Sequence, residues 1–204
     1  PVDHGFGQVR DLKKLESVRE KYGLPERYIL YVGHLEPRKN LRRLIQAFSQ
    51  LQIHVSYHLV ILGKASFGFE EIFRQANQSD CASKVVFTGY VEDSDMAAVY
   101  TLADLLVFPS LHEGFGIPVL EAMACGTPVV TSNVSALPEI AGDAAVLVDP
   151  YDVSAIAMGI SNVLSNSQVY QELVEKGLHR VTHFDTEQSA SAILDSYEKA
   201  VQTL

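Results

Sequence analysis

The stretch DLLVFPSLHEGFGIPVLEAMACGTPVVTS, residues 104–132, decides the fold. It opens on an apolar run, DLLVFPS (104–110), and closes on another, TPVVTS (127–132). Between them a bend containing Gly114 and Gly116 leads into IPVLEAMA (117–124), a short helical pattern. Pro118 suits its first turn, where a missing N–H costs nothing, and Gly126 stops it. Strand, bend, helix and strand therefore follow one another within thirty residues.

The same alternation continues outward in both directions. YILYVG (28–33), YHLVILG (57–63), KVVFTG (84–89) and AAVLVDP (144–150) are further short β-branched runs. All are nearly continuously apolar, as strands covered on both faces are. KNLRRLIQAFSQL (39–51) keeps Leu41, Leu44, Ile45, Phe48 and Leu51 on one face, opposite Arg42, Arg43, Gln46 and Ser49. DMAAVYTLA (95–103) is a shorter helix, and three helical stretches close the chain over 152–165, 168–180 and 186–203. Residues 1–27 are polar and helix-like after a loose start, with YGLPERY as a break. Strand-helix alternation of this kind predicts an α/β fold, a Rossmann-like doubly wound parallel sheet of about six strands with right-handed crossovers.

Composition agrees with one such domain. The 204 residues are 47% hydrophobic and 20% charged, a globular profile with enough chain for a full core. No apolar run reaches the roughly 18 residues that span a bilayer, and the opening residues do not read as a signal peptide. The first residue is Pro1, which suggests a piece of something longer. Two cysteines, Cys81 and Cys125, form neither a disulfide framework nor a metal spacing, and suit a reducing cytoplasm. The formal net charge is −9, yet ten of the sixteen Lys and Arg lie within the first 43 residues and none between Val85 and Glu175. An acidic body argues against a nucleic-acid partner, which requires a continuous basic face.

In a doubly wound sheet, ligands bind beyond the carboxyl ends of the strands. The unusual loops all follow strands here: GHLEPRKN, GKASFG, GYVED and SLHEGFG. Topology would gather Arg38, Lys39, Lys64, Tyr90 and Glu113 along one edge. The glycine bend lets backbone N–H groups approach a ligand, and the helix start behind it is a natural phosphate seat. Glu121, one turn inside that helix, is within reach of ribose hydroxyls; Glu113, before the bend, can face a sugar or a developing positive charge. With no cation in residues 85–175, Lys39 and Arg38 of the first loop are the nearest supply for a diphosphate. The plain alternatives are equally consistent with spacing: Glu113 as a partner of the helix dipole, Glu121 as a solvated acid, and Arg38 and Lys39 as exposed residues opening a helix.

Other chemistries fit less well. GFGIPV imitates the dinucleotide fingerprint, but that motif belongs after the first strand of its sheet, and here it follows the fourth. Glycosidase carboxylates project from strand ends into an open groove, which leaves the cations unexplained. Seven histidines show no metal-ligand spacing, so no metal and no cofactor is expected.

On these residues the chain resembles the C-terminal, donor-binding half of a GT-B retaining glycosyltransferase of family 4, glycosyl transferase group 1. YVGHLEPRKNL resembles the family's first βα loop. VVFTGYVEDSDMAAVYTLADLLVFPSLHEGFGIPVLEAMACGTPVV resembles its core, with Glu113 and Glu121 in the E-x7-E pattern, and SALPEIAGDAAVLVDPYD its continuation. The resemblance implies that Glu113 contacts the donor sugar, Glu121 the ribose, and Lys39 the diphosphate. Gly114, Phe115, Gly116 and Ile117 would receive diphosphate and sugar through their backbone, and Tyr90 and Val91 would meet the base. Many relatives carry Arg directly after the Gly33 position, where this chain has His34; Arg38 is then the second cation.

The implied reaction is transfer of a hexose, with a lean to mannose, from a nucleoside-diphosphate sugar (GDP-mannose or a UDP sugar) to an acceptor hydroxyl in polysaccharide or glycolipid synthesis. It proceeds with retention and without metal. By the same resemblance residues 1–27 are an interdomain link and leading helix, 28–185 the nucleotide-sugar-binding domain, and 186–204 a helix packing toward an N-terminal domain that takes the acceptor. The resemblance leaves room for a peripheral contact of the full-length cytoplasmic enzyme with the inner face of the membrane. A nucleotide-sugar-binding module without catalysis and a GT-B epimerase or phosphorylase are the alternatives. Intact Glu113, Glu121 and Lys39 favour the transferase, and no context for a phosphorylase's lysine-bound cofactor is present.

Overall fold

The computed structural model describes residues 5–51, 56–66, 68–184 and Leu194. The closing helix expected over 186–203 lies outside the described residues, Leu194 apart. Six parallel strands form one sheet: β1 (Tyr28–Val32), β2 (His58–Leu62), β3 (Val85–Gly89), β4 (Leu105–Phe108), β5 (Val129–Ser132) and β6 (Val146–Val148). Their order is β3-β2-β1-β4-β5-β6, the Rossmann order. All six fall inside the apolar runs read from the sequence, each shortened by one or more residues at its ends.

Eight α-helices are bounded among the described residues: α1 (Leu12–Tyr22), α2 (Leu41–Gln50), α3 (Phe69–Gln78), α4 (Asp93–Leu102), α5 (Ile117–Ala124), α6 (Leu137–Ala141), α7 (Val153–Ser165) and α8 (Ser167–Val181). α2 packs on α3 and α7, while α5 packs on α4, α6 and α8. The sheet is thus covered on both sides, and β1, β4 and β5 are buried at every position. Continuous apolarity has that cause: alternation would have exposed one face. β3, at the sheet edge, is only half-buried.

Two helices, α3 and α6, have no counterpart in the sequence reading. α3 keeps Phe69, Ile72, Phe73 and Ala76 at helical spacing, of which Ile72 and Ala76 are buried, and Glu70 and Glu71 in its first turn complement the helix dipole, so its signal was present in the sequence. α6 is five residues long and its buried Leu137, Ile140 and Ala141 are set by packing.

α1 is tied to the domain by a buried carboxylate. Asp11 caps its start, accepting from Lys13 N and Lys14 N, and Gly23 ends it in the left-handed conformation. Along its length Lys14, Lys21 and the Tyr22 hydroxyl converge on Asp95 of α4, the last two at 2.8 and 2.9 Å. These partners, Lys14 first and then Lys21, hold the Asp95 carboxyl well below the usual range.

Candidate functional site

The sheet order reverses between β1 and β4, and the loops that follow them border the crevice where such sheets bind ligands. After β1, Pro37–Lys39 forms a single 3-10 turn, begun by a proline that loses no hydrogen bond there. Asn40 ends it at φ +62°, a conformation asparagine tolerates better than most residues. The Asn40 amide donates to Pro109 O at 3.0 Å and to Pro150 O at 2.6 Å, tying together the loops after β1, β4 and β6. Leu111 N donates to Arg38 O at 2.8 Å. Arg38 and Lys39 are therefore held by backbone beside the loop that carries Glu113.

Glu113 and Lys39 are both buried, at 9% and 7% exposure. Lys39 Nζ lies 2.5 Å from Glu113 Oε1, and 5.0 Å from the centre of the Phe108 ring. Arg38 Nη1 donates to Glu113 Oε2 at 3.2 Å and to His112 O at 3.1 Å, while its Nη2 pairs with Glu36 at 2.7 Å. Lys39 is thus no exposed opener of a helix. Ser135, at φ +63°, grips the backbone of Glu113: its Oγ accepts from Glu113 N at 3.0 Å and donates to Glu113 O at 2.5 Å. Sequence reasoning missed Ser135, because nothing local in "NVSAL" marks it.

Gly116 caps α5 at φ +114°, and a Cβ there would lie 2.8 Å from Leu137 Cδ2, so both conformation and space call for glycine. Among the described residues no backbone acceptor pairs with the N–H of Gly114, Phe115 or Gly116. Phe115 packs edge-on to Phe184, with ring centres 6.0 Å apart, and Ile117 is exposed.

One turn along α5, Glu121 is half-buried and accepts from the Tyr100 hydroxyl at 2.7 Å. Burial raises its carboxyl pKa; the Tyr100 hydrogen bond opposes the shift and the charge of Asp93 adds to it. Glu121 lines a cavity of about 520 Å³ together with Gly33, His34, Tyr90, Val91, Lys64, Asp93, Met96 and Phe6. Lys64 Nζ lies 4.8 Å from the Tyr90 ring centre. Gly33 joins the two groups of residues, since a Cβ on it would meet Lys39 Cε at 3.9 Å. Six of the sequence-derived site residues (Gly33, His34, Lys64, Tyr90, Val91, Glu121) thus share the cavity. Arg38, Lys39 and Glu113 form an ion-paired cluster beside it, and Gly114, Phe115, Gly116 and Ile117 follow Glu113 to the mouth of α5. Phe6, Asp93, Met96 and Tyr100 were not legible as site residues.

Among the described residues no set of three or more His, Cys, Asp or Glu is arranged to hold a metal ion. No described helix is long and apolar enough to cross a membrane. Cys81 and Cys125 are free and buried, and burial pushes the Cys125 thiol up to about 12.

Sheet order, crevice and loop geometry define one Rossmann-like half of a GT-B fold. The chain belongs to the family of glycosyl transferases group 1, whose model matches residues 14–180. It is 36% identical over 193 residues to the serotype-specific mannosyltransferase WbdA of Escherichia coli, covering 93% of this chain and 24% of that protein. It is also 36% identical over 184 residues to the O-antigen chain mannosyltransferase B of Escherichia coli, covering 89% of this chain and 48% of the relative. The chain therefore spans between a quarter and a half of these relatives. Among solved structures, sucrose-phosphate synthase from Thermosynechococcus elongatus superimposes with a TM-score of 0.83 at 27% identity, over 98% of this chain and 51% of that one. Anabaena HepE in complex with UDP and glucose does so at 0.84 and 20% identity, over 96% and 54%, and shares the fold.

Proposed function

We propose that this domain binds the nucleoside-diphosphate sugar donor of a retaining hexosyltransferase, with GDP-mannose the preferred donor. The observation that carries the reading is the juxtaposition of Glu121 with Tyr90 and Val91 in one cavity, next to the Lys39, Arg38 and Glu113 cluster. A nucleoside diphosphate has the same sequence of parts. The base meets Tyr90 and Val91, the ribose hydroxyls meet the Glu121 carboxylate, and the diphosphate lies along Gly33 and His34 toward Lys39 and Arg38. Its terminal phosphate reaches the N–H groups of Gly114, Phe115, Gly116 and Ile117 at the helix start. The sugar then lies against Glu113. The mannosyltransferase relatives support mannose, and the complex of Anabaena HepE with UDP and glucose supports a nucleotide-sugar donor on this fold.

In the transfer the bond from the anomeric carbon to the diphosphate oxygen breaks, and a bond from the acceptor oxygen forms on the same face. The acceptor's proton passes to the departing phosphate. Lys39, Arg38 and the helix end stabilise the negative charge that develops on the diphosphate, while Glu113 faces the positive charge at the sugar. Preorganised groups of this kind supply the largest share of catalysis in many enzymes. The relatives are two to four times longer, so the acceptor glycan or glycolipid is received by sequence beyond this domain.

Calorimetric titration of the chain with GDP, UDP, ADP and GDP-mannose, beside Glu121→Ala, tests this. GDP and GDP-mannose are expected to bind and to weaken with the substitution. Binding of UDP alone overturns the donor assignment, and binding that ignores Glu121→Ala overturns the ribose role.

A further inference from the structure

The two carboxylates of the site are held in different ways. Glu113 has cations on both oxygens, whereas Glu121 has one neutral donor. That donor is Tyr100, whose side chain is fully buried in α4. Its ring meets Phe6 edge-on, with centres 6.0 Å apart. Its carbonyl accepts from Thr127 Oγ1 at 2.6 Å and from Ala103 N at 3.0 Å, which fixes the end of α4 against the turn before β5. The hydroxyl reaches Glu121 Oε2 at 2.7 Å. Glu121 Oε1 has no protein partner among the described residues, and Glu121 lines the cavity. Tyr100 thus occupies the oxygen that points into the protein and leaves the other for a ligand.

We propose that Tyr100 is the positioning residue of the nucleotide site, holding Glu121 by its inner oxygen so that the outer one meets the ribose. The inference rests on the ribose role of Glu121 put forward above. A carboxylate on a helix has three rotatable bonds, and immobilising such a side chain at the moment of binding costs affinity. A tyrosine buried on all sides makes that cost part of folding instead. Its hydroxyl remains a donor throughout the accessible pH range, because burial and then the Glu121 charge hold its pKa far above the ordinary value. The hydrogen bond also favours the ionised carboxylate against burial, which acts the other way.

His34, Lys64 and Tyr90, on the loops after β1, β2 and β3, share the cavity with Glu121. Asp93 acts on it from α4, and the buried Cys125 thiol follows α5. β4 and β5 carry no titratable side chain, α6 meets the start of α5 through Leu137 with Glu139 exposed, and α8 meets α5 where Gly177 lies against Met123. Removing the Tyr100 hydroxyl therefore leaves burial and Asp93, both of which push the Glu121 pKa higher.

The test is Tyr100→Phe in the full 204-residue chain, with GDP and UDP and their 2′,3′-dideoxy counterparts as probes, titrated from pH 5 to 8. The expected result is a loss of about tenfold in affinity for the ribonucleotide, the size of one hydrogen bond to a charged group. Dideoxynucleotide affinity should be unchanged, and the midpoint of the pH dependence should move upward. Glu121→Ala should abolish the difference between Tyr100→Phe and its parent. If Glu121→Ala weakens the ribonucleotide and Tyr100→Phe does not, the positioning role is overturned and the ribose role stands. If neither GDP nor UDP binds the unaltered chain, the site reading itself falls, and this inference with it. Should Tyr100→Phe lose the fold, the Tyr100 Cζ resonance of the unaltered protein decides: it should move with the titration of Glu121 and on adding GDP or UDP, and a resonance indifferent to both overturns the proposal.

Discussion

Lys39 and Glu113 are 74 residues apart in sequence and 2.5 Å apart in space, a buried ion pair that bridges the loops after β1 and β4. These two loops flank the point where the sheet order reverses. The pair therefore clamps the crevice, and it also keeps the cation expected at the diphosphate neutralised.

Removing one partner leaves the other charge buried. Lys39→Met is expected to cost about 3 kcal/mol of stability, because Arg38, half-exposed, compensates Glu113 only in part. Lys39→Met with Glu113→Leu should recover most of that loss. A double-mutant cycle by urea unfolding measures it, and strict additivity would mean that the pair carries no coupling.

Asp95 links α1 to α4 through Lys14, Lys21 and Tyr22. Its folded pKa is depressed, so its contribution is fully present above the unfolded value of about 4 and declines as pH falls below it. Asp95→Asn should cost about 2 kcal/mol at pH 7, a figure reduced for the partly exposed lysines. The gap between parent and variant should narrow steadily below about pH 4. Thermal unfolding at pH 7, 4 and 3 checks both; a gap that widens in acid contradicts the linkage.

At Gly63, φ is +149° and a Cβ would lie 1.9 Å from the carbonyl oxygen of Gly33. That contact is backbone, so the strand ends of β1 and β2 must separate to admit it. Gly63→Ala should cost more than about 3 kcal/mol and weaken nucleotide binding, since both glycines line the cavity. A Cβ on Gly33, at φ +146°, meets side chains alone, Tyr31 Oη at 3.0 Å and Cζ at 3.5 Å and Lys39 Cε at 3.9 Å, so Gly33→Ala should cost less. Denaturant midpoints of the two variants give the order.

The chain is expected to bind its donor without transferring the sugar. The chain spans a quarter to a half of its mannosyltransferase relatives, and transfer requires both an oriented acceptor and exclusion of water. Release of GDP from GDP-mannose in the presence of a mannose oligosaccharide should stay at the rate of the chain-free control. Product glycan would place the acceptor site within these 204 residues.

The fold was legible because its causes are local and repetitive. Each strand buried on two faces needs an unbroken apolar run, and each amphipathic helix between two such runs returns the chain in parallel; residues 104–132 display the whole unit. The candidate site was legible in outline for a related reason: glycines, a helix start and acids cluster in loops that topology sends to one edge. α6 escaped because packing alone makes its five residues helical, whereas α3 did not lack a signal, since Phe69, Ile72, Phe73 and Ala76 keep helical spacing. Tyr100 and Ser135 escaped because their significance is a hydrogen bond across 21 or 22 residues, and a tyrosine in an apolar helix reads as core.

The sequence by itself thus determined the six strands along the chain, the helices other than α3 and α6, the parallel sheet and the edge at which Glu113, Glu121 and the early cations meet. Only the tertiary structure decided that Lys39 is buried against Glu113 and that Glu121 shares a cavity with Tyr90 and Val91. It alone decided that a core tyrosine holds the carboxylate. Periodicity records which face of an element is dry, whereas the partner of a polar group depends on where distant loops come to rest, and burial makes that partner obligatory.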